Sequence, residues 1–354
     1  MNRPNLFKYA TSELSQDAFI CWLLEWAQNS HIAEDASLNG VARNVLNQIF
    51  KKCDKEVPAS YENIRVIRQY KNIDVLIIIN KHYALIIEDK TGTEDHGTQL
   101  HRYWEEIRDV GVKIDDHELR FGETQILRIY FKTGDQSDYN RVKEYGYVPF
   151  LRSDMLSILQ VGRQNGVTNA IYVDFLSYLE EIENGVMSYQ SKLLKDWEWP
   201  SWIGFFKALN SHQTMCGRGT WKYVPNPSGG FLGFYWAWRV DPCNPSSEPY
   251  LQLEQDKLCF KVKVEEKADH SRLRSEWHDL IFRAGGGSLC RPKRFGKGRW
   301  MTVALYSADG KPADYRIAKG DGTIDLDATV GRLKEAEVIL DRAIAARMSD
   351  KISQ

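Results

Sequence analysis

The stretch "NIDVLIIINKHYALIIEDKTG", residues 72–92, decides the fold of the first half of the chain. Its two runs of Leu, Ile and Val predict buried strands at residues 73–79 and 83–89. Four charged residues interrupt these runs: Asp74, Glu88, Asp89 and Lys90. Buried carboxylates are costly unless they are paired or bind a metal. These residues are therefore the first candidates for a functional site.

The loop between the two strands decides which side chains meet. If residues 80–82 form a three-residue loop, Ile79 pairs with Tyr83 and Asp74 lies opposite Glu88, with Cβ atoms about 4.5–5.5 Å apart. Two carboxylates at that distance repel each other unless a proton or a cation lies between them. A two-residue loop would place them on opposite faces of the sheet, and the sequence leaves this choice open.

The three-residue register favours a hard divalent cation. Mg²⁺, for which Mn²⁺ would substitute, is usually held by one or two carboxylates together with phosphate oxygens of the substrate. Lys90 lies one strand step beyond Glu88 on the same face, where an amine can orient an attacking water or neutralise charge on phosphorus. The alternative is that Asp74, Glu88 and Lys90 are solvated strand ends with no role in chemistry.

Composition sets the class of protein. At 354 residues the chain is long enough for two domains. Its net charge of -1 means that any nucleic-acid binding must come from a local basic patch. The six cysteines form no CxxC pair, which favours reduced thiols over a zinc site. Residues 1–16 lack the apolar core of a signal peptide, and no apolar run reaches transmembrane length, so we expect a cytoplasmic protein without a membrane partner.

The order of elements predicts the architecture. The predicted strands of the first half are residues 64–70, 73–79, 83–89 and 124–134. The predicted helices are residues 11–28, 37–53, 99–110, 153–162 and 169–184. This order predicts an α/β fold, a mixed sheet with helices packed on it. We place the domain boundary between residues 190 and 191, where an aromatic-rich stretch begins.

The second half, residues 191–354, predicts a separate α+β domain with a role in target recognition or assembly. Its predicted strands are residues 230–240, 250–266 with a turn at 255–257, 299–307 and 314–320. Its predicted helices are residues 271–287, which glycines end, and 328–347.

Asp74, followed by thirteen residues and then Glu88-x-Lys90, resembles the signature of the PD-(D/E)XK phosphodiesterase superfamily. Ile73 stands where that motif has proline. The resemblance implies a restriction-endonuclease-like core in residues 1–190. It also implies that the main-chain carbonyl of Asp89 completes the metal site.

Two flanking features are similar to further motifs of that superfamily. Glu13, in the first predicted helix, stands where members often supply another carboxylate; the alternative is a first-turn Glu favoured by the helix dipole. Gln99 and Tyr103, four residues apart on one helix face, resemble the Q-x-x-x-Y motif of the RecB-like branch, in which the Gln positions metal-bound water or substrate. The alternative is a polar helix face with a tyrosine packed at its edge.

A basic loop within residues 289–300, "LCRPKRFGKGRW", is a candidate nucleic-acid contact because its cations alternate with aromatic residues and no acid interrupts them. The candidate contact residues are Arg291, Lys293, Arg294, Lys297 and Arg299. The alternative is a solvated hairpin loop.

The resemblance implies a Mg²⁺-dependent nuclease, which we expect to be an endonuclease on DNA and a homodimer. A role in restriction or defence against phage follows from family analogy. The main rival is a non-catalytic member of the same fold that binds nucleic acid or a protein. A second rival, a carboxylate-pair hydrolase acting on sugars, would need an open cleft rather than a hairpin end beside a lysine.

Overall fold

A computed structural model describes residues 4–93, 98–114, 116–215, 217–226 and 229–352 of the chain. It divides into two compact units, Met1–Glu183 and Asn184–Gln354. The expected boundary at residues 190 and 191 lies a few residues later. Among the described residues, no helix has both the length and the apolar character that crossing a membrane requires. The five described cysteines form no disulfide, and Cys216 lies outside the described residues.

The first unit contains the sheet that the opening stretch predicts. Its helices are α1 (Glu13–Glu25), α2 (Ala36–Lys52), α3 (Gln99–Glu105), α4 (Asn140–Glu144), α5 (Arg152–Gln164) and α6 (Ala170–Met187). Its strands are β1 (Ile64–Tyr70), β2 (Ile73–Ile79), β3 (Tyr83–Lys90), β4 (Val112–Ile114), β5 (His117–Leu119), β6 (Ile126–Lys132) and β7 (Val148–Leu151).

The hairpin of β2 and β3 has the three-residue register. Ile79 lies opposite Tyr83, and the antiparallel pairing continues to Val75 opposite Ile87. Asn80, the first loop residue, has a φ of +52°, a left-handed conformation that Asn tolerates better than most side chains. Of the two registers that the sequence left open, the structure has the one in which Asp74 and Glu88 lie opposite each other.

The main sheet is mixed, as predicted. Its strand order is β1-β2-β3-β6-β7; β2 is antiparallel to β1 and β3, whereas β6 is parallel to β3 and β7. The prediction missed β7, α4 and the small β4–β5 hairpin, because segments of three to five residues show no measurable periodicity. The predicted strand at 124–134 is shorter, since Glu123–Gln125 forms a 3₁₀ turn before it.

Helices cover both faces of this sheet. On one face α1, α2, α5 and α6 form a core with side chains such as Ile77 and Leu85. On the other face α3 packs on side chains such as Leu76 and Ile86. Because both faces are buried, β2 and β3 read as continuous apolar runs rather than as alternating ones. This α/β arrangement is the restriction-endonuclease-like core that the resemblance implied.

The second unit is built around an antiparallel sheet. Its helices are α7 (Trp199–Ser211), α8 (His270–Gly285) and α9 (Leu326–Ile352). Its strands are β8 (Thr220–Val224), β9 (Phe231–Trp236), β10 (Ser247–Glu254), β11 (Lys257–Val264), β12 (Leu289–Cys290), β13 (Trp300–Ala308) and β14 (Lys311–Pro312). The strand order is β12-β13-β11-β10-β9-β8, with β14 paired to β13. One face packs against the three helices in a single core.

One predicted strand of the second unit is wrong. Among the described residues, 314–320 make only isolated bridges instead of a ladder. Arg316 pairs with Asp314 at 2.7 Å, and its guanidinium lies 4.6 and 4.3 Å from the ring centroids of Trp197 and Trp202. Contacts of the Arg316 side chain with residues distant in sequence therefore contribute to the position of this segment. The alternating apolar pattern of the sequence does not predict such contacts.

Candidate active site

The predicted acids meet where β2 begins and β3 ends. Val75 pairs with Ile87, so the next residues along, Asp74 and Glu88, lie opposite each other on one face of the sheet. Oδ2 of Asp74 accepts a hydrogen bond from the backbone N–H of Asp89 at 2.9 Å. This bond holds the first acid against the end of β3.

The Lys90 amine lies at the point where the oxygen atoms of the site converge. Its Nζ is 2.5 Å from Oε1 of Glu88 and 2.9 Å from the main-chain oxygen of Asp89. It is also 3.8 Å from Oδ2 of Asp74 and 4.0 Å from Oε2 of Glu13. One positive charge therefore serves three carboxylates and a carbonyl, and it marks a place where the structure accommodates a cation.

Glu88 is the most deeply buried of these acids, at 0% exposure. Its Oε1 accepts hydrogen bonds from Lys90 and Gln99, whereas Oε2 has no hydrogen-bond partner among the described residues. Burial, with the negative charge of Asp74 as the next cause, raises the pKa of Glu88 to about 8 against the opposing effect of Lys90. A buried oxygen without a partner is an unusual cost, and a bound cation would remove it.

Glu13 reaches the site from the first turn of α1, as the resemblance implied. Its Oε1 accepts a hydrogen bond from Thr93 Oγ1 at 2.7 Å and from the backbone N–H of Thr91 at 3.2 Å. Both threonines follow β3 directly. The segment after the Glu-x-Lys motif therefore holds the fourth oxygen ligand candidate in place.

Gln99 and Tyr103 of α3 also lie at the site. Nε2 of Gln99 donates to Oε1 of Glu88 at 3.1 Å and to the Tyr103 hydroxyl at 2.6 Å. Tyr103 is buried, and burial raises the pKa of its hydroxyl. The Gln99 amide is thus held between a carboxylate and a phenol.

The Asp89 side chain points to the opposite face, where the sequence prediction found no partner for it. There it accepts a hydrogen bond from Gln16 Nε2 and lies beside Asp17, which is 1% exposed. Burial, then the charge of Asp74, raises the pKa of Asp17 to about 6. Burial, then Asp17, raises the pKa of Asp89 well above its usual range. Only the main-chain oxygen of Asp89 therefore faces the candidate metal site.

Gln16, Asp17 and Lys132 are residues that sequence reasoning missed. A signal existed for Asp17, because it follows Glu13 by four residues and so shares its helix face. Lys132 ends β6 directly beside Lys90 in parallel register and is 1% exposed. Its Nζ donates to the main-chain oxygen of Thr93, which supports the segment that holds Glu13.

The donor set fits a hard divalent cation. Within the described residues, no three His, Cys, Asp or Glu side chains form a metal cluster. The oxygens available are the carboxylates of Asp74 and Glu88 and the main-chain oxygen of Asp89, with Glu13 close by. Such a set is typical of Mg²⁺, which is held by one or two carboxylates and keeps several waters.

The basic loop belongs to the second unit, between β12 and β13. Four of its cations are exposed and form no ion pair with any acid that the structure describes: Arg291, Lys293, Arg294 and Lys297. The fifth, Arg299, pairs with Glu265 at 2.6 Å.

Comparison with known proteins agrees with the site geometry. A family model of the PD-(D/E)XK nuclease superfamily, whose members generally use divalent metals, matches residues 4–195. No curated protein and no solved structure matches the chain. The matched region is more than half of the chain and contains every site residue from Glu13 to Lys132. The chain belongs to the PD-(D/E)XK nuclease superfamily.

Proposed function

We propose that this protein is a Mg²⁺-dependent endonuclease that hydrolyses phosphodiester bonds of DNA. The observation that carries the proposal is the convergence of four oxygen-bearing residues on one point, within 4.0 Å of the Lys90 amine. Family membership supports the reaction class. DNA as the substrate and a role in restriction or defence against phage are parts of the proposal that rest on family analogy.

Asp74, Glu88 and the main-chain oxygen of Asp89 would hold the metal ion. Oε2 of Glu88, buried and without a partner among the described residues, supports this assignment. When bound, a divalent ion neutralises charge on the scissile phosphate and lowers the pKa of its water. Mn²⁺ would substitute, because it also accepts oxygen ligands in octahedral sites.

The remaining groups would position the reactants. Lys90 carries a fixed positive charge beside Glu88, and its Nζ is placed to hydrogen-bond an attacking water or a phosphate oxygen. Gln99, held by Tyr103, would orient the Glu88 carboxylate or a water bound near it. Glu13 would position water or the scissile phosphate from the α1 side.

A cleavage assay tests the proposal. Supercoiled plasmid, single-stranded circular DNA and RNA are incubated with the protein and either Mg²⁺ or EDTA. We expect nicked or linear DNA products with Mg²⁺ and none with EDTA, and Lys90→Met should abolish them. DNA cleavage that persists in EDTA or in K90M would overturn the proposed roles, and cleavage of RNA alone would replace DNA as the substrate.

Lys261→Met is the matched control. Lys261 is also a nearly buried strand lysine, paired with Glu254 at 3.0 Å, so its loss should affect folding about as much as loss of Lys90. Because Lys261 lies opposite Tyr250, the two variants are compared at saturating DNA, where K261M should cleave at the wild-type rate. Binding of DNA without cleavage by the wild-type protein, under all metal conditions, would indicate the non-catalytic rival instead. Phage plating on cells that produce wild-type or K90M protein tests the defence role.

A further inference from the structure

Three aromatic residues of the second unit cluster on the sheet face that is turned away from α7, α8 and α9. Leu251 on β10 and Val262 on β11 point into the helix-covered core, so the side chain of Tyr250 points the other way. Trp238, just after β9, and Trp300, at the start of β13, both contact Tyr250. We call Trp238, Tyr250 and Trp300 the tryptophan surface.

Two large rings of this surface remain open to solvent. The Trp238 ring stacks on Tyr250 with centroids 3.9 Å apart and planes at 9°, which covers one of its faces. Trp300 stands nearly perpendicular to both rings, with centroids 5.9 Å from each. Trp238 is nevertheless 41% exposed and Trp300 is 50% exposed. The two indoles therefore form a contiguous exposed aromatic surface, a feature that can serve as an interaction site.

The backbone before Trp238 is strained. Ala237 has a φ of +54°, a left-handed conformation that residues with a Cβ rarely adopt. The preceding residue, Trp236, is fully buried in the helix-covered core. The turn at Ala237 is what sends the next indole to the Tyr250 side, and strain of this kind persists where surrounding contacts maintain it.

Cationic groups lead into the surface from the basic loop. Arg291, Lys293, Arg294 and Lys297 are the exposed cations described above, and the loop ends directly at Trp300. Arg274 of α8 donates to the main-chain oxygen of Phe295 at 2.9 Å and lies over its ring, so the loop is anchored. Lys263 and Arg299 lie 5.6 and 5.7 Å from the Trp300 ring centroid, but both pair with Glu265, so the exposed cations of the loop are the ones available to phosphates.

A cavity adjoins Trp238. It has a volume of about 260 Å³, and its lining includes Arg218, Arg239 and the carboxylate of Glu337 beside the indole of Trp238. Glu337 accepts a hydrogen bond from the Trp236 Nε1–H at 3.1 Å. The cations at its walls are paired with acids of α9, Arg218 with Glu337 at 3.5 Å and Arg239 with Asp341 at 2.7 Å.

We propose that the tryptophan surface binds unpaired nucleotides of a nucleic-acid strand, with bases stacking on Trp238 and Trp300 and the basic loop contacting phosphates. Aromatic side chains beside a positively charged track are the means by which proteins bind single strands. A regular duplex keeps its base faces stacked, so this surface favours single-stranded or locally opened nucleic acid. The inference deepens the proposed nuclease function by naming the form of substrate that the second unit selects.

Binding in EDTA tests the inference without cleavage. Fluorescence anisotropy is measured with a labelled 20-nucleotide oligothymidylate and with a labelled 20-base-pair duplex, using the full-length protein. We expect tighter binding of the single strand. Trp238→Ala and Trp300→Ala should each weaken binding of the single strand by at least about fivefold. This factor corresponds to about 1 kcal/mol, the lower end of the range for loss of one stacked base. Phenylalanine at either position should retain most of the affinity because the stacking face remains.

Trp199→Ala is the matched control. Trp199 is also 41% exposed and also contacts a tyrosine ring, at 5.6 Å, but it lies on α7 outside the surface. W199A should bind as the wild type does. The triple variant K293A/R294A/K297A should lower the slope of log affinity against log salt by roughly two units, since each phosphate contact on a single strand contributes about 0.7.

Unchanged affinity in the W238A/W300A double variant, or equal affinity for the duplex, would overturn the inference. A melting temperature within a few degrees of wild type shows that each variant is folded. The two proposals fail separately, because a wild-type protein that cleaves no DNA with Mg²⁺ but binds the single strand more tightly than the duplex in EDTA would refute the nuclease proposal alone. Cleavage of duplex DNA with no single-strand binding would leave the nuclease proposal and refute this one.

Discussion

The cluster at the end of β3 has a chemical counterpart in the second unit. There, Oε1 of Glu254 accepts hydrogen bonds from Lys261 Nζ at 3.0 Å and from Gln252 Nε2 at 2.9 Å. Glu88 likewise accepts from a lysine and a glutamine. Each glutamate lies on one strand of a β-hairpin, Glu88 on β3 and Glu254 on β10. The same three residue types therefore occur twice in one chain, in two settings.

The settings differ in burial and in what lies opposite. Glu88 is 0% exposed and faces a second acid, Asp74, across the hairpin. The Glu254 side chain is 21% exposed and its cross-strand partner is Lys257. In the second set one lysine pairs with one acid, whereas in the first three carboxylates lie within 4.0 Å of the Lys90 amine. A Glu-Lys-Gln set by itself is thus a strand salt bridge, and the opposed second acid makes it a candidate metal site.

The largest expected difference is in cleavage. Glu88→Gln removes a proposed metal ligand with little change of volume, and the rate of DNA cleavage should fall by about 10³-fold or more, since loss of metal-based charge stabilisation costs several kcal/mol. Glu254→Gln should stay within about twofold of wild type in the same plasmid assay, the change expected away from a site. Equal losses in E88Q and E254Q would show that the two clusters are not functionally different.

Variants of the two clusters should also differ in how much a divalent metal stabilises the protein. A divalent ion at about one hundred times its Kd stabilises the form that binds it by about 2.7 kcal/mol, which corresponds to a rise in melting temperature of roughly 5–10 °C for a domain of this size. Calorimetric scans with Mg²⁺ or Mn²⁺ should show this rise for wild type and E254Q. The D74N/E88Q double variant should show none; a shift that survives in it would place the metal elsewhere.

Replacing the two glutamines, Gln99 and Gln252, should change kcat by a smaller factor. Gln99→Ala removes the donor that orients Glu88, so we expect a loss of about tenfold in kcat, the low end for a residue that supports a metal ligand. Gln252→Ala should leave kcat unchanged. Single-turnover kinetics provide the measurement, and a Q99A effect confined to KM would assign Gln99 to substrate binding instead.

The pH dependence of stability should also differ between variants of the two glutamates. Because the pKa of Glu88 is raised to about 8 in the folded state, its protonated form favours folding at low pH. That contribution is lost as the pH rises from the unfolded value, about 4.3, through about 8. The metal-free protein should lose at most about 1.4 kcal/mol per pH unit in this window. In calorimetric scans, E88Q should show a flatter profile than E254Q, and identical profiles would contradict the assignment.

The local sequence pattern predicted the strands of the central hairpin well, because runs of apolar residues and the breaks between them are visible within a few residues. The strand bounds at 64–70 and 73–79 match the structure, and β3 extends one residue beyond its predicted end. A loop length of three sets the register, and side chains alternate with a period of two. Alternation placed Glu88 and Lys90 on one face from the sequence alone, whereas the loop length that brings Asp74 to the same face was left open until the structure showed the register.

Contacts between distant residues could not be predicted in this way. Asp17 lies beside Asp89 because α1 crosses the sheet at that point, 72 positions earlier in the chain. Lys132 supports Thr93 because β6 lies parallel to β3. The segment 314–320 is not a strand because Arg316 packs between two tryptophans more than one hundred residues away.

The sequence alone determined the residue types, their order along two strands and the superfamily signature, because periodicity and loop length are local properties of the chain. Tertiary structure decided which charges are left without enough partners, since burial depends on every element packed around a side chain. It also decided that Trp238 stacks on Tyr250, through a left-handed Ala237 that no propensity predicts. The acids at the end of β3 are distinguished by burial and the two indoles by exposure, and both are properties of the folded molecule.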